Sequence, residues 1–208
     1  SAVASPLVSL LEAASTMEVS LATLGQQLLS RCLDLKPNVR RAALAALESW
    51  AKVSNVHLSS AQLVSVSKRC QDTSPAVRKQ AAKTLGELLK LDPRSQVLRS
   101  AWVDGVLPLL CDAEASVSEG AVDMLRETML VPLDRCAASP ARGFESAAWS
   151  LLQSVTAETE SMLARGVYKL IQQRRLPSSL GKAALAMLEV ASAAAATVPA
   201  HKAARSAL

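Results

Sequence analysis

The sequence predicts an all-α protein, an α-solenoid of stacked antiparallel helix pairs, and three observations carry that expectation. Half of the 208 residues are apolar, yet only five are aromatic and seven are glycine. Sandwiches and barrels need β-branched and aromatic residues with glycine-rich turns, whereas Ala, Leu, Ser and charged helix formers dominate here. The second observation is an internal repeat: 34-DLKPNVRRAALAALESW-50, 72-DTSPAVRKQAAKTLGEL-88 and 112-DAEASVSEGAVDMLRET-128 align without gaps, 38 and then 40 residues apart. The third is the periodicity inside each block. Asp is followed by Val five residues on, then Ala, then Leu at steps of four (Val39, Ala43, Leu47; Val77, Ala81, Leu85; Val117, Ala121, Leu125). That spacing draws one apolar stripe along a helix.

The elements follow in order. Residues 1–16, with 6-PLVSLLEAA-14 at their centre, read as a partial repeat helix left from an earlier unit. Residues 17–53, 57–91 and 96–133 are each a full repeat. Their first helices lie in 18-EVSLATLGQQLLSRCL-33, 57-HLSSAQLVSVSKRC-70 and 96-QVLRSAWVDGVLPLLC-111, and their second helices lie in the aligned blocks. Pro108 falls inside the third of these first helices, where it removes one backbone hydrogen bond and kinks the rod. Residues 134–143 read as a loop. Residues 144–175 read as a degenerate repeat, with Trp149, Leu151, Leu152 and Val155 on one helix and Met162, Leu163, Val167, Leu170 and Ile171 on the next, but no Asp turn between them. A helix over 177–195 and an Ala-rich tail over 196–208 complete the chain.

The turns explain the spacing. An Asp closing the first helix accepts hydrogen bonds from the unpaired N–H groups of a tight turn. Pro37 and Pro75 then start the second helix, where a fixed φ and a missing N–H are harmless. Ala at the middle of the stripe lets neighbouring helices approach closely, and each large apolar side chain buried there contributes roughly 1.5–3 kcal/mol. A 14-residue helix is only about 21 Å long, so one pair encloses no core and must stack on the next.

Several functional classes fall away. The net charge of +5 arises from 23 basic and 18 acidic residues, and all of the excess is C-terminal: from residue 164 onward there are seven cations against one acid, Glu189. No run of eighteen apolar residues is present, so no membrane-spanning helix is expected. The opening Ser1, with no basic stretch before an apolar core, leads us to expect a piece of a longer protein. Cys32, Cys70, Cys111 and Cys136 contain no close pair of the kind zinc requires. The first three are spaced 38 and 41 residues apart, which suggests buried thiols at a recurring core position in a reducing compartment. His57 and His201 lie 144 residues apart without an adjoining nucleophile and acid, and no phosphate-cradling glycine motif occurs. We therefore expect no enzyme, no cofactor and no metal. Trp50, Trp102 and Trp149 are assigned to helix packing.

The cations divide into two groups. Arg40 and Arg78 occupy equivalent positions near the turns and are expected to pair with the turn carboxylates Asp34, Asp72 and Asp112 of their own or the next unit, forming a ladder between repeats. Ser118 replaces the arginine in the third block. Arg41, Lys79 and Lys83 are not needed for that ladder and can face phosphates along one edge. Lys169, Arg174, Arg175 and Lys182 form a second cluster with no acid nearby in the sequence. A solvated helix end accounts for it, since cations suit helix C-termini, and contact with the phosphates of double-stranded DNA is the alternative. With no aromatic interleaving or recognition helix, such contact would be independent of base sequence.

The D-x4-V-R-x3-A-x3-L block, complete in the second unit at Asp72, Pro75, Val77, Arg78, Ala81 and Leu85, resembles the HEAT-repeat pattern over most of residues 17–131. More narrowly, 70-CQDTSPAVRKQAAKTLGELL-89 and 101-AWVDGVLPLLCDAEASVSEGAVDMLRE-127 are similar to the D3-type HEAT subunits of condensin II. The W-V-x-G-V-x-P signature (Trp102, Val103, Gly105, Val106, Pro108) goes beyond a generic repeat. That resemblance implies a non-enzymatic scaffold held to a kleisin subunit, acting beside SMC ATPases in the nucleus and on mitotic chromosomes. A direct DNA-binding module and a generic HEAT adaptor for another protein remain the alternatives. Importin-like armadillo arrays and tubulin-binding arrays fit less well, because Trp50 is followed by Ser54 where the former place Asn and the turns offer only Lys36 to the latter.

Overall fold

The computed structural model describes residues 23–54, 58–136 and 146–186, and among these every regular element is helical. The fold class is an all-α solenoid. The chain divides into two compact units, Ser1–Ala121 and Val122–Leu208.

In the first unit, α1 (described over 23–31) leads through the Asp34 turn to α2 (Pro37–Ser54). α3 (Ser60–Lys68) continues as a 3-10 turn, Arg69–Gln71, and the Asp72 turn opens α4 (Pro75–Leu91). α5 (Gln96–Val106) likewise tightens into a 3-10 turn, Leu107–Cys111, before α6 (Ala115–Leu125). Each start has a local cause. Ser59 and Ser95 cap α3 and α5 by accepting the N–H groups of Gln62 and Leu98, and Gln62 returns a bond to the Ser59 N–H. Pro75 occupies the first turn of α4. Pro108 cannot return an N–H to the Asp104 carbonyl, and the α-helix gives way to a 3-10 turn at that point.

Like helices stack on like: α2 packs on α4, and α3 packs on α5. The Val-Ala-Leu stripes form the floor of this packing. Val77, Ala81, Leu85, Val117, Ala121, Ala43 and Leu47 are all buried, and Val39, in the first repeat, is half-buried. Close approach is enforced by two glycines. A Cβ on Gly105 would lie 2.9 Å from Leu85 Cδ1 and 3.0 Å from Ser67 Oγ, and one on Gly25 only 2.6 Å from Trp50 Cζ2. The three tryptophans are buried, Trp102 completely.

The cysteine expectation needs a correction. Cys32 and Cys70 are buried, but Cys111 is exposed. The first two precede their turn Asp by two residues, whereas Cys111 precedes Asp112 by one. The equivalent buried place belongs to Leu110, which has no exposed surface. Burial pushes the thiol pKa of Cys32 up to about 11, against a small opposing pull from Arg69, and that of Cys70 up to about 12.

In the second unit the α6 rod passes through a π-helical turn, Arg126–Leu130, into α7 (Val131–Arg135). Pro132 has no N–H for the ladder, and beside it the Val131 N–H reaches five residues back to the Arg126 carbonyl. The rod therefore extends two residues into the segment expected to be a loop. α8 (Ala147–Gln153) packs on this turn and on α7, and α9 (Ala157–Gln172) follows after a short connection. Ser146 caps α8, and Thr156 with Thr159 forms a reciprocal capping box for α9, supplying locally what Asp supplies in the repeats. Beyond Pro177 a turn precedes helical residues 180–186, so this helix starts three residues later than expected. The partial repeat helix over 1–16, the body of the 134–143 loop and the tail over 196–208 lie outside the described residues, as do His57 and His201.

Candidate functional site

The most organised polar feature is a pair of inter-repeat rungs. At each turn, one carboxylate oxygen of Asp accepts the backbone N–H two residues on: Lys36 to Asp34, Ser74 to Asp72 and Glu114 to Asp112, each at 2.9 Å. This local bond fixes the carboxylate, which at Asp72 and Asp112 is shared with the preceding repeat, while that of Asp34 stands 3.5 Å from Arg31 of its own helix. Arg40 then donates from Nε to Asp72 Oδ2 at 2.8 Å and from Nη2 to Oδ1 at 2.6 Å. Arg78 does the same to Asp112 at 2.7 Å for both bonds. These are planar, two-pronged guanidinium-carboxylate pairs, the geometry lysine cannot supply. The third guanidinium nitrogen turns back to its own turn: Arg40 Nη1 donates to the carbonyls of Asp34 and Leu35, and Arg78 Nη1 to those of Asp72 and Thr73.

Each arginine thus ties its own turn to the next, and both pairings run to the following unit rather than within a unit. The Asp72 turn is the node, receiving one rung and launching the other. Burial pushes the Asp72 carboxyl pKa up, but Arg40, the Ser74 N–H and the charge of Arg69 outweigh it, and the group stays below the ordinary carboxylate range. Asp112 is lowered in the same way, burial being outweighed by Arg78 and the Glu114 N–H. The rungs stop at Ser118, whose hydroxyl is buried and donates to the Leu110 carbonyl of its own repeat at 3.0 Å.

Sequence reasoning missed a second tie between α2 and α4. Lys52 Nζ lies 2.9 Å from Glu48 and 2.8 Å from Glu87, and Lys90 lies 2.7 Å from Glu87. The two lysine hydrogen bonds hold the Glu87 carboxyl at about 2, overcoming its partial burial. Thr84, fully buried, donates to the Leu44 carbonyl across the same helix pair. Lys52 and Lys90 fall 38 residues apart, so the repeat offset was the signal that could have found this network.

The expected phosphate-facing residues are placed differently from one another. Arg41 and Lys79 are exposed, at equivalent positions on α2 and α4. Lys83 is exposed and stands 3.9 Å from Glu48. In the second unit, Lys169 is half-buried near the end of α9, and Arg174 and Lys182 are exposed. Arg175 is not surrounded by empty solvent, as the sequence suggested. Its Nη2 donates to Asp123 at 2.7 Å, an acid 52 residues earlier that no local reading brings near. Its carbonyl accepts a bond from Arg126 Nε at 3.0 Å.

The end of α9 is a Schellman closure. The Arg174 N–H donates to the Ile171 carbonyl and the Arg175 N–H to that of Leu170, at 3.0 and 2.8 Å. The motif puts Arg174 in the left-handed region, φ 54°, the single positive-φ non-glycine among the described residues. Glycine is the usual occupant, and a side chain here costs about 1–2 kcal/mol.

Among the described residues no three His, Cys, Asp or Glu converge as metal ligands, and no helix is long and apolar enough to cross a membrane.

Stacked helix pairs joined by Asp turns and cross-repeat arginine rungs define the fold class, an all-α solenoid of the HEAT-repeat type. Within that class, the chain is similar to subunit D3 of the condensin-2 complex. It is 34% identical over 135 residues to the Xenopus laevis subunit named D3-L and 33% identical over 138 residues to the Mus musculus subunit D3. Each match takes in 64% of this chain and 9% of the relative, so the chain spans about a tenth of the relatives' length. The family model of the sister chromatid cohesion protein PDS5 matches residues 3–101. No solved structure matches significantly.

Proposed function

We propose that this chain is a non-enzymatic HEAT-repeat scaffold segment of a condensin II-type complex. It associates with the kleisin subunit and the SMC ATPases, in the nucleus and on mitotic chromosomes. The observation that carries the reading is the likeness to subunit D3 from two vertebrates over 64% of the chain. The rungs support it physically. They make three repeats into one braced surface, and a braced surface binds an extended partner without first losing conformational freedom. Affinity purification of a tagged chain co-expressed with kleisin and SMC subunits tests the proposal. Stoichiometric co-purification is expected. A folded chain that recovers neither partner contradicts it.

A second reading is favoured by the exposed cations. The side chains of Arg174 and Lys182 form no hydrogen bond or ion pair among the described residues, and the acids of α9 sit in its first turn, at the opposite end. On this reading Lys169, Arg174, Arg175 and Lys182 of the second unit contact DNA phosphates without reading bases, and Arg41, Lys79 and Lys83 of the first unit do so separately. A salt titration of duplex binding tests it: affinity that falls steeply with salt supports the reading, and no binding at low salt removes it. A generic HEAT adaptor for another protein is the outcome in which the folded chain engages neither DNA nor condensin subunits.

A further inference from the structure

We infer that the C-terminal basic cluster divides its labour, with Arg174 presented as the phosphate-contacting side chain and Arg175 acting as a positioning residue that holds it out. The inference rests on the DNA-contact reading above and sharpens it to one residue. Four observations carry it. Arg174 occupies a left-handed position, φ 54°, that glycine fills at lower cost. Its backbone is clamped on both sides, by the two Schellman bonds and by the Arg126 bond to the Arg175 carbonyl. The Arg175 guanidinium is already engaged by Asp123 at 2.7 Å and Gln173 at 3.3 Å. The Arg174 guanidinium is exposed and makes no hydrogen bond or ion pair among the described residues.

A strained residue kept in place by its surroundings signals that its side chain is used. Here the side chain is a permanently charged fork beside a helix C-terminus whose last turn carries Lys169. The chemistry such a fork recognises is a phosphate oxygen pair, and the sequence of bases behind it is irrelevant. The exposed Lys182 offers a second charge for the same backbone.

The experiment compares the whole chain with R174G, R174K and R175Q, using a labelled random-sequence DNA duplex over a range of salt, together with thermal melting. R174G is expected to weaken duplex binding about fivefold at low salt, to lower the magnitude of the salt slope by about one, and to raise the melting temperature. R174K is expected to keep both the slope and the melting temperature. R175Q is expected to lower the melting temperature, through loss of the Asp123 bond, with a smaller change in slope than R174G. If the wild-type chain binds no duplex, the DNA-contact reading fails and this inference with it. Should the wild type bind but R174G match it in affinity and slope, the inference alone is overturned. A lower melting temperature for R174G, or displacement of the duplex by poly-glutamate at equal charge, also overturns it.

Discussion

Residues 37–118 and residues 146–186 face the same problem, joining short helices that cannot enclose a core singly, and they meet it with different chemistry. In the first stretch one residue type does two jobs: a turn Asp accepts the local N–H with one oxygen and shares its carboxylate with an arginine from the preceding repeat. In the second stretch the jobs are separate. The Thr156 capping box satisfies the start of α9, the Schellman closure satisfies its end, and a latch of Arg126, Arg175 and Asp123 supplies the long-range tie. The rung atoms lie at 2–10% side-chain exposure for Asp72 and Arg40, whereas both partners of the Arg175 pair are nearly half exposed. Identical offsets propagate a rung from unit to unit, while a latch built from unrelated positions serves one place only.

The comparison breaks most visibly at Asp72. Asp72→Ala leaves the buried Arg40 guanidinium without its carboxylate and should cost about 3–5 kcal/mol in urea unfolding, whereas Asp123→Ala should cost about 0.2–1 kcal/mol. Equal losses at the two sites would mean that the rungs brace nothing.

Acid should reveal the same asymmetry. Asp72, Asp112 and Glu87 all have carboxyl pKa values lowered on folding, Glu87 to about 2 from its ordinary 4.5. A lowered folded value means that their stabilisation is fully present above the unfolded value near 4 and is lost as pH falls through the folded value. Urea midpoints measured between neutral pH and pH 2 should therefore drop on the acid side, and E87Q should flatten that drop. A midpoint independent of pH over this range would refute the charged rungs and the Lys52 network together.

Packing comes next in size. Gly25→Ala drives a methyl into the Trp50 ring and should cost about 1–3 kcal/mol, although alanine favours a helix over glycine. A stabilised Gly25→Ala chain would show that the helices do not approach as closely as described. The smallest effect expected is that of Thr156→Ala, about 1 kcal/mol from the capping box, read by the same denaturation.

The first unit was legible because its instructions are repeated. The Asp, Val, Arg, Ala and Leu positions of the second block reappear in the first at a fixed offset, so turns, stripe and rung residues all followed from one alignment. Legibility failed where the register slipped. Cys111 stands one residue nearer its Asp than Cys70 does, and that single step turns the thiol outward and puts Leu110 inside. It failed again where partners are distant and unrepeated, as with Arg175 and Asp123. The helical run through Arg135 carried a readable signal in Pro132, whose missing N–H coincides with the widened turn. Of the basic residues, the sequence separated rung formers from exposed cations on α2 and α4. It did not separate Arg174 from its neighbour, because left-handed backbone at an arginine leaves no mark in composition.

The central claim is that the chain is a scaffold segment of a condensin II-type assembly, and its most direct test is reconstitution with purified SMC and kleisin subunits followed by crosslinking and mass spectrometry. The account predicts that the chain enters the assembly in one-to-one stoichiometry, with crosslinks from its repeat surface to a partner subunit. A chain that is helical and cooperatively folded in solution, yet remains unbound at concentrations where the other subunits assemble, would contradict it.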